Sequence, residues 1–579
     1  MINQLSWKVG GQQGEGIEST GEIFAITLNR LGYYLYGYRH FSSRIKGGHT
    51  NNKIRVSTTE VRSISDDLDI LVAFDQETID VNFHELREGG VVIADSKFNP
   101  VIPENSKVNF YSVPFTDIAT ELGTSLMKNM VAVGASCAVL ELEVESFREV
   151  VDEIFGKKGQ QVVEKNMEAI QKGYQYIKDQ AGDTLSTMPL AKADGKKRLF
   201  MIGNDAIAMG FVAGGCRFMS AYPITPASEI MEYLIKKLPE YGGTVIQTED
   251  EIAAITMAIG ANYGGARAIT ASSGPGLSLK AEGIGLAGMT ETPVVIVDTQ
   301  RGGPSTGLPT KVEQSDLMAM IYGTHGEIPK IVLAPSTVEE AFFDAVESLN
   351  LAEEYQCPVI LLTDLQLSLG KQTVEPLDFS KVEIRRGKLD LNAELVADGP
   401  DGNFKRYRVT EDGISPRVVP GMKNGLHHMT GVEHSEIGRP SEAPKNRKEQ
   451  MDKRFRKLQN LKVKNPVHKN VKHDEADVLV LGFNSTRGGI EEAMVRLEND
   501  GLKVNHAQVR LIHPFPVEEI QPLVDSAKKV VVVEHNATGQ LTQILKLNVG
   551  NHNKVESLLK YDGNPFLPSE IYNSIKELL

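Results

Sequence analysis

A chain of 579 residues is too long for one hydrophobic core, and at about 150 residues per domain it implies three or four domains. Apolar residues at 41% and charged residues at 24% are ordinary for a soluble globular protein. The net charge of -14 disfavours nucleic-acid binding and anionic lipid surfaces, because both need clustered Lys and Arg.

The opening residues, Met1 to Lys8, lead directly into a strand and lack the charged and apolar regions of a signal peptide. The most apolar stretch, residues 130–140, falls far short of the roughly 20 residues that span a bilayer. A cytoplasmic location without membrane contact is therefore expected. Cys137, Cys216 and Cys357 stand singly in apolar contexts, so neither disulfides nor a C-x-x-C site for zinc or an iron–sulfur cluster is expected.

Residues 6–9 read as a strand, 10–16 as a glycine loop and 17–31 as an amphipathic helix. Apolar runs at 68–74 and 90–94 between helices predict a parallel sheet covered on both faces. A helix near 160–178 closes this first α/β domain (1–185), and a polar linker follows (186–197). A second α/β domain (198–375) has strands near 244–247, 266–271, 294–299 and 358–364. Residues 376–474 read as an irregular connecting segment, basic late on (Lys445, Arg447, Lys448, Lys453, Arg454, Arg456, Lys457). That basic stretch reads as a solvated helix, or else as a contact for an anionic ligand or partner. A third α/β domain (475–579) has strands near 477–483, 504–509 and 530–534. The fold class is α/β, three parallel-sheet domains in series.

Chemistry concentrates in the second domain. Gln247-Thr248-Glu249-Asp250-Glu251 ends a strand and opens a helix of small apolar residues. Thr248-x-x-Glu251 has the form of a capping box. That accounts for Glu251 and leaves Glu249, a carboxylate able to hydrogen-bond a ring nitrogen of a cofactor. In Tyr222-Pro223-Ile224-Thr225-Pro226, two prolines stiffen a loop after a strand, with Thr225 expected as N-cap and Pro226 as first helical residue. Arg301 follows a buried strand and precedes Gly302-Gly303, a setting suited to bidentate capture of a carboxylate or phosphate, or to a structural salt bridge. Thr, Glu and Arg thus share the C-terminal edge of one parallel sheet, where such sheets bind ligands.

These motifs (YPITP, QTEDE, TASSGPG and RGGPSTGLPT) resemble the pyrimidine-binding half of the thiamine-diphosphate 2-oxoacid:ferredoxin oxidoreductases. The resemblance covers essentially the whole chain. Residues 1–185 are similar to that family's gamma domain (GGQQGEGIES, SRIKGGH), 198–375 to its alpha core, and 475–579 to a transketolase-type C-terminal domain (VVVVEHNATGQL). The fused gamma–alpha layout resembles the 2-oxoglutarate branch. The resemblance implies that Glu249, or Glu251 in its place, hydrogen-bonds the aminopyrimidine N1′ and favours the imino tautomer. It further implies that Arg301 and Thr225 bind the 2-oxoacid, and that Tyr222 and Pro223 contact the cofactor. The cofactor is the electron sink, and the protein orients it.

The G-D-G motif with a downstream Asn that binds Mg²⁺ and diphosphate is lacking. A beta subunit, in an αβ or (αβ)2 assembly, is therefore expected to supply Mg²⁺, diphosphate contacts and the iron–sulfur cluster, with coenzyme A as co-substrate and ferredoxin as electron acceptor. Pyruvate and branched-chain 2-oxoacids remain open as substrates. A transketolase-like transferase and a non-catalytic scaffold or regulatory subunit are the alternatives. The loop Gly10–Gly16 reads as a tight turn, since Glu15, Glu18 and Glu22 would repel phosphate at that helix end. His49 is expected to stabilise a turn, with a coenzyme A contact open. Residues 534–536 are expected to pack and cap, and His513 to sit in a turn.

Overall fold

The computed structural model describes residues 1–41 and 47–579, and the segment 42–46 of the SRIKGGH motif lies outside the described residues. The chain forms two compact units. The first comprises Met1–Met201, Leu369–Pro376 and Leu567–Ser569, and the second Ile202–Ser368, Leu377–Phe566 and Glu570–Leu579.

The first unit is built on an eight-stranded sheet. The strand Gln4–Gln12 runs parallel to Leu68–Ala73, and the strands Leu86–Asp95 and Asn109–Val113 extend that parallel half. On its other side Gln4–Gln12 pairs antiparallel with His49–Ser57, which pairs antiparallel with Tyr34–His40. The sequence does not display this antiparallel half. His49–Ser57 buries Asn51, Asn52, Lys53 and Arg55, so no apolar alternation marks it. Burial is tolerable because the charges are met: Lys53 Nζ donates to Glu85 at 2.9 Å, and Arg55 Nη1 to the Ser63 carbonyl at 3.1 Å.

Helices Lys128–Leu140 and Gln160–Ala181 cross at close range. A Cβ on Gly134 would lie 1.9 Å from the Ile170 carbonyl oxygen, and one on Gly173 2.1 Å from that of Val131. In the glycine loop Glu15 accepts from Lys128 Nζ at 2.7 Å, and Gly16 takes the left-handed conformation (φ 81°) before helix Ile17–Arg30. The loop is thus a turn whose acid is engaged inside its own unit. His49 opens a strand, and its Nε2 accepts from the amides of Asn51 (3.1 Å) and Asn82 (3.2 Å). Burial holds this imidazole below its ordinary pKa.

The second unit contains two further sheets. The elements that matter for the site are β1 (Phe218–Ala221), β2 (Thr244–Gln247), α1 (Glu251–Tyr263), β3 (Ala268–Ser272), α2 (Gly274–Met289), β4 (Val294–Gln300), α3 (Leu317–Tyr322), β5 (Ile331–Leu333) and β6 (Pro358–Asp364). The sheet order is β5-β6-β4-β3-β1-β2, all parallel, with Leu511–His513 pairing antiparallel on β5. His513 is therefore a strand residue rather than a turn residue. β4 and β6 are buried at every position, as a sheet covered on both faces requires. The last sheet, order 467–470, 504–509, 476–482, 527–534, 555–559, is parallel apart from its first pair. There the carboxylate of Glu534 accepts from Leu541 and Thr542 N–H, capping helix Gln540–Asn548.

The basic stretch is helical over Pro444–Gln459; Lys445, Arg447 and Lys448 are exposed, as a solvated helix requires, but Lys453, Arg454 and Lys457 turn inward. Lys453 and Lys457 are fully buried on the two oxygens of Glu291 (2.5 and 2.6 Å), and Arg454 pairs with Glu433 at 2.6 Å. Neither expected reading of this helix holds for that face, since it is neither solvated nor open to an anionic partner. Among the described residues no helix is long and apolar enough to cross a membrane.

Candidate functional site

The loops that leave β1, β2 and β4 carry the residues singled out in the sequence. After β1, residues 222–227 form an extended turn with a cis Thr225–Pro226 bond, and the helix begins only at Ser228. Thr225 is therefore not the N-cap and Pro226 not the first helical residue: the cap position is Ala227, without a side-chain bond. After β2, the cap of α1 is Asp250, whose carboxylate accepts from Ala253 N–H at 2.7 Å. Thr248 instead donates its hydroxyl to the Asp250 carbonyl at 2.9 Å, so Thr248 and Glu251 do not form a capping box. Asp250 wins because it is two residues closer to the helix start and can reach the third helical N–H.

Arg301, one residue beyond β4, is buried at 6% exposure. Its Nη1 donates to the Thr225 carbonyl at 2.6 Å and its Nη2 to the Thr306 carbonyl at 3.2 Å, while the buried Nε has no partner among the described residues. It lines a cavity of about 490 Å³ with Gly274, Pro275, Gly302, Gly303 and Asp316. Burial pulls its guanidinium below the usual value, which the Asp316 carboxylate partly opposes. The cavity continues along α2 and α3 to Lys330, whose Nζ donates to the Thr324 hydroxyl at 3.1 Å.

Two carboxyls lie close to one another here, Asp316 in the cavity wall with Arg301 and Asp298 on β4. Asp298 is fully buried with both oxygens unpartnered among the described residues, and burial next to Asp316 raises its pKa well above the carboxylate range. Burial, then Glu313, pushes Asp316 up to about 6. Both carboxyls therefore hold their protons to higher pH than an ordinary aspartate does.

The carboxylates at the mouth of α1 differ sharply. Glu249 is exposed on the loop, whereas Glu251 is buried at 8% exposure. The first turn of α2 lies between Glu251 and the carboxyl pair. A Cβ on Gly276 would meet Ser272 Oγ at 2.0 Å and Glu251 Oε1 at 2.9 Å, and one on Gly274 would meet both Asp316 oxygens at 2.9 Å. These two glycines leave the room that the acids occupy. Ser272 Oγ, Ser273 Oγ and the fully buried Lys280 Nζ have no partner among the described residues.

The structure thus brings Arg301 against Thr225, through the backbone carbonyl, and sets Glu251 and Asp316 on either side of one helical turn. Glu249 faces outward, as does Tyr222 at 37% exposure, and Pro223 is half-buried. Sequence reasoning missed Asp316, Gly276 and Lys280. Lys280 carried a signal, being a lone cation in the small-residue run GPGLSLKAEGIGLAG. Asp316 carried none, since only the fold sets it beside Gly274.

A thiamine pyrimidine needs a carboxylate in a desolvated cleft with open hydrogen-bonding atoms, and the region of Glu251, Ser272 and Ser273 fits that requirement. Among the described residues no group of three or more His, Cys, Asp or Glu side chains could hold a metal ion.

Comparison with known proteins gives the family. Residues 209–453 match the family described as pyruvate flavodoxin/ferredoxin oxidoreductase, thiamine-diphosphate-binding. Residues 6–176 match pyruvate ferredoxin/flavodoxin oxidoreductase, and 476–571 match core domain II of pyruvate:ferredoxin oxidoreductase. A 2-oxoacid:ferredoxin oxidoreductase subunit alpha from Sulfolobus sp is 35% identical, covering 100% of this chain and 97% of that one. The 2-oxoglutarate synthase subunit KorA of Methanothermobacter marburgensis is 38% identical over 65% of this chain and 98% of its own. Among solved structures, the 2-oxoglutarate:ferredoxin oxidoreductase of Magnetococcus marinus, with 2-oxoglutarate, coenzyme A and succinyl-CoA bound, superposes with a TM-score of 0.92 at 38% identity and covers 100% of both chains. On this full-length agreement in sequence and fold, the chain belongs to the alpha subunits of the 2-oxoacid:ferredoxin oxidoreductases, an oxidoreductase family.

Proposed function

We propose that the chain works with a beta subunit to decarboxylate 2-oxoglutarate oxidatively, with coenzyme A, giving succinyl-CoA and reduced ferredoxin. The observation that carries the reading is Arg301, a buried guanidinium at a parallel-sheet edge with no carboxylate hydrogen-bonded to it among the described residues, held by two carbonyls and lining a cavity. Choosing 2-oxoglutarate rests on the ligands bound to the Magnetococcus marinus protein and on the name of the Methanothermobacter relative.

Thiamine diphosphate, when bound, supplies the electron sink for decarboxylation. This chain's residues do the rest from its side. Arg301 binds the substrate carboxylate, with the Thr225 hydroxyl beside it. A carboxylate at the mouth of α1 holds a proton toward the pyrimidine. Of the two candidates, Glu251 is buried beside the first turn of α2, and Glu249 lies on a rim that a partner would cover. Tyr222 and Pro223 form the adjacent wall. Mg²⁺, diphosphate contacts and the iron–sulfur cluster belong to the beta subunit.

The test is co-expression with a beta subunit and a screen of 2-oxoglutarate, pyruvate and branched-chain 2-oxoacids for coenzyme A-dependent viologen reduction. Highest kcat/KM for 2-oxoglutarate is expected. Preference for pyruvate would move the substrate assignment, and full turnover by the isolated chain would overturn the shared site. Glu251→Gln is expected to abolish turnover. Loss with Glu249→Gln alone would transfer the role to Glu249, and activity in both variants would favour a scaffold.

A further inference from the structure

The cavity that begins at Arg301 follows a groove between α2 and α3, along roughly 15 Å of α2 from Gly274 to Ile284. Its walls are apolar and partly small: Leu277, Ala281, Ile284, Ala319 and Met320. It ends at Lys330, the residue before β5, which is 4% exposed. An ammonium has three donors, and this one makes a single bond, to the Thr324 hydroxyl at 3.1 Å. No carboxylate is paired with it among the described residues, and burial alone lowers its pKa, to about 8. A buried ammonium without a counter-ion destabilises a fold, and an apolar side chain would pack there at lower cost. Stability therefore does not explain Lys330.

The edges of the groove indicate what kind of body fills it. Leu279 and Tyr322, next in the chain to the lining residues Ser278 and Gly323, are 54% and 58% exposed. Large apolar side chains left open beside a groove suit a protein partner, whereas a small metabolite is enclosed by its pocket. Ala281, Ala319 and Gly323 leave room for another chain to come close. Among the described residues the wall holds one acid, Asp316, and two cations, Arg301 and Lys330. Asp316 acts on Arg301, so the Lys330 end is left purely cationic. The Arg301 end belongs to the site that the function proposed above shares with the beta subunit, and the groove is continuous with it.

We propose that the groove between α2 and α3 is a docking site for the beta subunit, an amphipathic segment of which lies along Leu277, Ala281 and Met320 and brings a carboxylate to Lys330. This deepens the function proposed above and rests on its two-chain assembly. A groove about three helical turns long suits one amphipathic helix, whose apolar anchors recur every three or four residues. The ion pair at Lys330 fixes the register of that helix, because Arg301, the other cation in the wall, is already held by two carbonyls.

The experiment titrates the purified full chain with its beta subunit and compares wild type, Lys330→Met, Lys330→Arg, Lys330→Glu and Tyr322→Ala. Loss of one member of a buried charge pair should raise the dissociation constant of Lys330→Met by about 30-fold or more. A larger rise is expected for Lys330→Glu and partial recovery for Lys330→Arg. Tyr322→Ala, at an exposed position that the fold does not need, should raise it about tenfold. The isolated Lys330→Met chain should melt at or above the wild-type temperature, because an uncompensated cation is gone. A lower melting temperature with unchanged beta-subunit affinity would make Lys330 structural and overturn the proposal. Hydrogen exchange in the complex should slow across residues 277–284 and 317–330, and unaltered exchange there would overturn it as well. A raised KM for the 2-oxoacid with unchanged affinity would give the groove to a small anion instead, against the proposal. A wild-type complex that forms as expected but turns over no 2-oxoacid would remove the proposed function and leave the docking site standing.

Discussion

The Arg301 guanidinium is fastened to the Thr225 backbone, Nη1 donating to the carbonyl at 2.6 Å, across 76 residues of chain. This bond joins the loop after β1 to the loop after β4. It leaves the Arg301 Nε without a partner among the described residues. Arg301→Gln should raise KM for the 2-oxoacid by about 10–100-fold, the loss of a charge-assisted bond. Arg301→Lys should recover only part of it, since an ammonium cannot hold the fork to both carbonyls. Steady-state kinetics of the reconstituted complex read both.

Thr225 separates hydroxyl from backbone. Thr225→Val keeps the carbonyl that anchors Arg301 and removes the hydroxyl, so KM should rise about tenfold with the melting temperature unchanged. Thr225→Ser should behave as wild type. Loss in Thr225→Ser with Thr225→Val unchanged would mean that the methyl group, not the hydroxyl, is what matters.

Gly276→Ala is a test of space. Its Cβ would stand 2.0 Å from Ser272 Oγ and 2.9 Å from Glu251 Oε1, so either α2 shifts or Glu251 is displaced. A cost of about 1–3 kcal/mol in stability is expected, with weakened thiamine diphosphate binding. Thermal denaturation and equilibrium dialysis measure the two effects separately.

The Glu291–Lys453–Lys457 cluster is fully buried, two cations on one carboxylate. Glu291→Gln leaves both ammoniums uncompensated and should destabilise the second unit by about 3–5 kcal/mol. Lys445→Ala, on the same helix but 88% exposed at its side chain, should change stability by less than about 0.5 kcal/mol. Urea unfolding followed by circular dichroism checks the pair.

Acid lability follows from buried neutral histidines. Burial lowers His506 to about 4 and His535 to about 3, and His506 Nε2 donates to Gln508 Oε1 at 3.0 Å. The folded values lie below the unfolded value near 6.5, so the unfolded chain binds more protons between them. Stability is therefore full above about pH 6.5 and falls as the pH drops toward 4. The melting temperature should decline across that window, and His506→Gln should flatten the decline.

How much the sequence disclosed varies with the physical signal. β4 and β6 appear where the apolar runs place them, at Val294–Gln300 and Pro358–Asp364, because strands buried on both faces carry near-continuous apolar runs. The hairpin Tyr34–His40 and His49–Ser57 stayed hidden because ion pairs, not apolar contacts, bury its polar residues. The basic helix misled for the same reason: a lysine run looks solvated until Glu291, more than 150 residues earlier, is folded against it.

The sequence by itself determined the α/β character, the family and the sheet edge on which Thr225, Glu249, Glu251 and Arg301 are carried, because these follow from local hydrophobic pattern and from motifs contiguous in the chain. Tertiary structure decided which of those residues are buried and what they touch: Arg301 on the Thr225 carbonyl, Glu251 against Gly276 within reach of the Lys280 charge, Asp298 beside Asp316. Desolvation and charge pairing are set by neighbours distant in sequence, so no local pattern encodes them.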